Sequence, residues 1–340
     1  MNAHPAIVVE VQRGTLVESR HRVHAVMARP DGDIVAAWGE AALEIYPRSA
    51  IKPLQALNLV ETGAAEAHGV SDEEVALASA SHSGAMGHAM AVEAWLKRIG
   101  LGPGHLRTGT HRPYDEEAAD NLLRRDEPWT TLNSNCSGKH SGFLTTALQM
   151  AEDLEGYLDI DHPVQRRCRA VLEEMGDTDM TGTGRGVDGC GIPVYGMPLE
   201  AFARATARLA DPTGLGPARE AACRRVVQAM TKHPYMVAGR ERFDTVCMQA
   251  LKGRAATKTG AEGVHMAALP QLGLGIALKA EDGTKRAADT AMAALLEHLG
   301  VVEDAAEGPF AAFLRPTLRN VAGREVGTLR ADLGAVLGDA

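Results

Sequence analysis

Tyr46-Pro47-Arg48-Ser49-Ala50-Ile51-Lys52-Pro53-Leu54-Gln55 places a serine and a lysine at spacing i, i+3. On a helix those two side chains lie on one face, a turn apart. Pro53 lacks a backbone N–H, which a helix tolerates best near its start. Ser49 and Lys52 are therefore expected in the first turn of a helix that runs to about Leu59-Val60. A serine hydroxyl becomes a good nucleophile when a neighbouring base removes its proton, and a neutral lysine can be that base. Taken alone, such a tetrad is more often a helix cap beside a solvated lysine. The rest of the chain decides between the two.

Strand patterns occupy both ends of the chain. Ile7, Val9 and Val11 alternate, as do Val23, Ala25 and Met27. The turn Pro30-Asp31-Gly32-Asp33 leads into Ile34–Trp38. Strands return over 255–281 and at 324–330. Between them the periodicity is helical, with helices expected near 72–78, 85–99, 115–124, 163–175, 199–209 and 219–231, one that the stretch 135–144 leads into and that ends near 151, and one more at 286–299. The fold class is therefore α+β. An antiparallel sheet is built from 1–45 and 255–340, and 46–254 is mainly helical, all in a single domain over 1–340. The glycine-rich stretch 181–193 has the wrong spacing for a dinucleotide fingerprint and reads as a loop.

Two further short motifs follow the first in order: Ser81-His82-Ser83-Gly84 and Lys258-Thr259-Gly260. The succession S-x-x-K, S-x-polar, K-T-G resembles that of serine β-lactamases and penicillin-binding proteins. It gives two serine–lysine pairs, Ser49–Lys52 and Ser81–Lys258, suited to acyl transfer. One serine attacks a carbonyl, its lysine takes the proton, and backbone amides at a helix start hold the oxyanion. The second pair relays a proton to the leaving nitrogen. Local geometry favours Ser49 as the nucleophile.

The cysteines form a separate pattern. Cys136, Lys139 and His140 share a helical face, and Cys190 lies in the glycine-rich stretch. Two thiolates with a nitrogen or a water would make a tetrahedral zinc site. The alternative is two buried free thiols. Cys168, Cys223 and Cys247 read as core.

Composition limits the partners. A net charge of −9 argues against nucleic acid, and 4% aromatics leave few stacking platforms. No apolar run approaches the roughly 18 residues of a membrane span. Residues 1–10 lack a basic region followed by an apolar run, so the expected location is cytoplasmic.

Together, Pro47–Gln55, Ser79–Gly84, Asn135–His140, Val187–Gly191 and Lys258–Gly263 are similar to the rhizobial-type (class 3) L-asparaginases, nearly end to end. The resemblance implies a fold related to serine β-lactamases and glutaminases, a homodimer, and hydrolysis of L-asparagine. It implies that Ser49, Lys52, Ser81 and Lys258 are catalytic, and that Cys136, Lys139 and Cys190 hold Zn2+. It also implies that Arg48, His140 and Asp188 contact or support the substrate. Competing readings are another serine amidohydrolase of the same fold, a zinc-water amidohydrolase, and a non-catalytic binding module.

Overall fold

The computed structural model describes residues 2–303, 305 and 307–334. The last six residues of the stretch assigned to the sheet, 335–340, lie outside the described residues. The chain divides into two compact units. One comprises Met1–Ala50, Met197–Asp211 and Val246–Ala340; the other comprises Ile51–Gly196 and Pro212–Thr245.

The first unit carries a nine-stranded sheet. Its main path runs Thr317–Arg319, Glu325–Asp332, Ile7–Arg13, Leu16–Ala28, Leu274–Ala280, Val264–Leu269, Ala256–Thr259. Ile34–Trp38 pairs with the far end of the long Leu16–Ala28 strand. All these pairings are antiparallel, as expected from the alternation. Asn2–His4 departs from the pattern and pairs parallel with Ile34–Trp38. Every residue of Val264–Leu269 is buried, so both faces of the sheet are covered there. Within this unit, helices Leu199–Ala210 and Lys285–His298 pack on the central strands. The first packs so closely that an added Cβ on Gly275 would sit 2.1 Å from Ala207 N. The sheet is therefore built from both ends of the chain, as the patterns predict, with one helix borrowed from the middle.

The second unit is helical. The predicted helices appear at Asp72–Ala78, Met86–Arg98, Glu116–Arg124, Ser137–Gln149, Pro163–Gly176 and Pro217–Lys232. Ser137–Gln149 is its central helix, buried without interruption from Ser137 to Ala147. Polar residues tolerate this position because they bond back to their own helix. Ser141 Oγ donates to Ser137 O, Thr145 Oγ1 to Ser141 O and Thr146 Oγ1 to Gly142 O. Gly138 marks a close crossing, where an added Cβ would lie 2.3 Å from Leu77 O. The glycine-rich stretch is not a plain loop. It holds a small antiparallel ribbon, Arg185–Val187 with Pro193–Tyr195, whose turn carries Asp188 and Cys190. Among the described residues no helix is long and apolar enough to cross a membrane.

Candidate functional site

The opening motif is not one regular helix. Arg48–Ile51 forms a 3-10 turn, Lys52–Gln55 a single α-turn and Leu57–Glu61 a further short helix. Pro53 sits at the start of the α-turn, where its missing donor costs least. Arg48 has φ +51°, a left-handed conformation uncommon for a residue with a side chain. The boundary between the two units falls at Ala50–Ile51, inside the tetrad.

In the sheet unit, Lys258 lies on the edge strand Ala256–Thr259, paired opposite Met266 and fully buried. The following turn is closed by Gly260 N donating to Val264 O at 2.6 Å. Gly260 lets this strand end approach the opening motif. An added Cβ there would lie 3.0 Å from Pro47 O and 3.1 Å from Ala50 N. The K-T-G strand end is thus packed against the segment that carries Arg48 and Ser49.

In the helical unit, Lys52 is 1% exposed. Its Nζ donates to Ala80 O at 2.6 Å, to Ser81 Oγ at 2.9 Å and to Cys136 Sγ at 3.1 Å. Ser81 follows the Asp72–Ala78 helix, whose start is fixed by a capping box between Ser71 and Glu74. Its own N–H donates to Val237 O at 3.0 Å. Lys52 therefore meets the second serine and the first cysteine, neither of which the tetrad spacing pointed to.

The cysteine cluster forms beside it. Lys139 Nζ donates to Cys190 Sγ at 2.9 Å, and the two thiols hydrogen-bond each other. Cys136 is held well below the usual thiol range, first by Cys190 and then by the two lysine ammonium groups, while burial opposes this. Cys190 is raised in turn, by the hydrogen bond to Cys136 and by burial. Burial would lower Lys139, but the sulfurs outweigh it and raise it. The cluster gathers two sulfurs and an amine in a buried spot, a donor set that fits zinc once the lysine has given up its proton. Among the described residues no group of three or more His, Cys, Asp or Glu forms a metal cluster, and here the third donor is a lysine.

His140 is fully buried one residue further on. Its Nδ1 lies 2.7 Å from Tyr157 Oη, which also accepts from Arg107 N. The arrangement that satisfies the hydroxyl proton has Tyr157 donating to Nδ1 and leaves the imidazole proton on Nε2. That nitrogen has no hydrogen-bond partner among the described residues. Asp188 is half-buried in the ribbon turn, where its N–H donates to Ile192 O and its carboxylate accepts from Gly189 N.

Sequence reasoning missed Tyr157, a lone aromatic in an irregular stretch with no periodic signal. The second motif, Ser81-His82-Ser83, was read for its serine alone. All three residues are buried, and His82 is wholly so.

A large antiparallel sheet with helices packed on it, and a second unit that is mainly helical, define an α+β protein. The L-asparaginase II family model matches residues 9–331, and the chain belongs to that family. No match was found among curated proteins. Among solved structures, the chain is similar to a β-lactamase from Mycobacterium bovis. The two share 16% identity over 82% of this chain and 95% of the other, with a TM-score of 0.41. It is also similar to Mglu in its native form, at 17% identity over 82% of this chain, with a TM-score of 0.38. The chain spans 64% of the length of Mglu. Likeness at that level bears on neither substrate nor mechanism.

Proposed function

We propose that this protein hydrolyses the side-chain amide of L-asparagine to L-aspartate and ammonia through a serine acyl-enzyme. The single observation that supports it most is the buried 2.9 Å contact between Lys52 Nζ and Ser81 Oγ. Lys52 also stands three residues from Ser49 in the chain.

In this reading Lys52 first gives up its own proton; Ser49 Oγ then attacks the amide carbon as its proton passes to Lys52. Collapse of the tetrahedral intermediate breaks the C–N bond. Ammonia leaves with a proton handed on through Ser81, whose second lysine is Lys258. Water then cleaves the aspartyl ester and regenerates the serine. Arg48, Asp188 and His140 Nε2–H are assigned to the substrate's carboxylate, ammonium and carbonyl sides. Cys136, Cys190 and Lys139 would hold Zn2+, which when bound supplies charge and orientation near the substrate. The family resemblance further carries a cytoplasmic homodimer.

The test is ammonia release from asparagine and from glutamine. Wild type is expected to release ammonia, while Ser49→Ala and Lys52→Met lose about 10²–10⁴-fold in turnover. Release by wild type from neither amide would sink the reading.

A further inference from the structure

His82 is fully buried between the two segments that carry Ser81 and Cys136. Gly84 N donates to its Nδ1 at 3.1 Å, so Nδ1 is an acceptor and carries no proton. The ring proton of a neutral imidazole must then sit on Nε2. Nε2 lies 2.9 Å from Ser137 Oγ, and Ser137 Oγ in turn donates to Leu132 O at 3.1 Å. Each proton in this chain has one acceptor, and the direction of all three hydrogen bonds is fixed.

The ring is also held on its face. His82 stacks on His88 at 4.8 Å between centroids, and His88 stacks on Tyr235 at 4.7 Å. His88 Nε2 donates to Tyr235 O at 2.9 Å, which anchors the far end of the stack. Burial, foremost, and the neighbouring cations hold His82 well below the usual imidazole range, in keeping with a neutral ring.

We propose that His82, as the Nε2–H tautomer, is a positioning residue that ties the Ser81 turn to the first residue of the Ser137–Gln149 helix. Through that tie it fixes Ser81 against Lys52 and Cys136. The inference rests on the asparaginase reading for its kinetic consequence, but not for its structural one.

The test has two arms. In full-length protein labelled with ¹⁵N-histidine, His82 is assigned as the resonance lost in His82→Gln. It should show a pyrrole-type Nε2 and a pyridine-type Nδ1, unchanged from about pH 8 to about pH 5. This arm reads out even if neither amide is hydrolysed, so it separates failure of the tie from failure of the assigned activity. A protonated ring or the Nδ1–H tautomer would overturn the proposal.

In the kinetic arm, His82→Asn keeps an acceptor for Gly84 and loses the donor to Ser137; Ser137→Ala loses the same bond from the other side. Each should lower kcat about 10- to 100-fold with little change in KM, and the double variant should be no worse than either single one. His82→Gln, which restores a donor near Nε2, should recover part of kcat. Unchanged kcat in folded single variants, or losses that simply add, would count against the tie.

Discussion

Asp289 shows how a single buried carboxylate is kept ionised. Its Oδ1 lies 2.8 Å from His265 Nε2, and its Oδ2 pairs with Lys285. Burial alone would raise this carboxyl, but the contacts from His265 and Lys285 outweigh it and hold it below the usual range. A depressed carboxylate stabilises the folded state fully above its unfolded pKa, near 3.9, and that contribution is lost as pH falls below it. Thermal melts of wild type and Asp289→Asn should therefore differ most near neutrality and converge as the pH is taken down through the carboxylate range. A gap that widens in acid would contradict the assignment. The pairing was not legible in the sequence. His265 and Asp289 belong to a strand and a helix that meet only through the fold. Lys52 is a parallel case: its i, i+3 relation to Ser49 is read directly from the chain, but its contacts with Ser81 and Cys136 are set by packing.

At the level of elements, the crossing of the Asp72–Ala78 and Ser137–Gln149 helices brings the two halves of the helical site together. One helix leads into Ser81 and the other begins beside Cys136. Gly138 is the contact point, and the atom facing it is the backbone carbonyl of Leu77, which cannot rotate away. Gly138→Val should cost about 1–3 kcal/mol or more in urea unfolding and should depress turnover in the molecules that still fold. A variant with unchanged stability would show that the crossing can open freely. Most helix positions were readable because their apolar spacing and caps agree, as at Ser71 and Glu74. The opening motif was less so. Its helical spacing is real, but a left-handed Arg48 and a proline five residues later break it into short turns. The Arg185–Tyr195 ribbon was hidden because glycine-rich sequence lacks the alternation that marks a strand.

On the scale of the whole molecule, the paired termini and helical middle were legible as a pattern of periods, and the family model spans nearly all of it. The division that puts Leu199–Ala210 with the sheet was not, since a buried helix reads the same whichever unit it packs on. The metal assignment is tested at this scale as well. Native protein should carry about one zinc by mass spectrometry. Chelation should raise KM while leaving turnover at saturating asparagine largely intact, because the serine supplies the nucleophile; abolished turnover at saturation would refute this role. The sheet itself has a consequence for how the chain acquires its structure. Leu16–Ala28 is made early, yet one of its neighbours, Leu274–Ala280, comes from near the other end. During synthesis the helices of 51–245 emerge and can collapse while that strand edge still waits for its partner. Closing so long a loop is slow, and the waiting edge is open to pairing with other chains. Overproduction should therefore favour aggregates formed through the early strands, and coexpression of a chaperone that holds unfolded chains should reduce them.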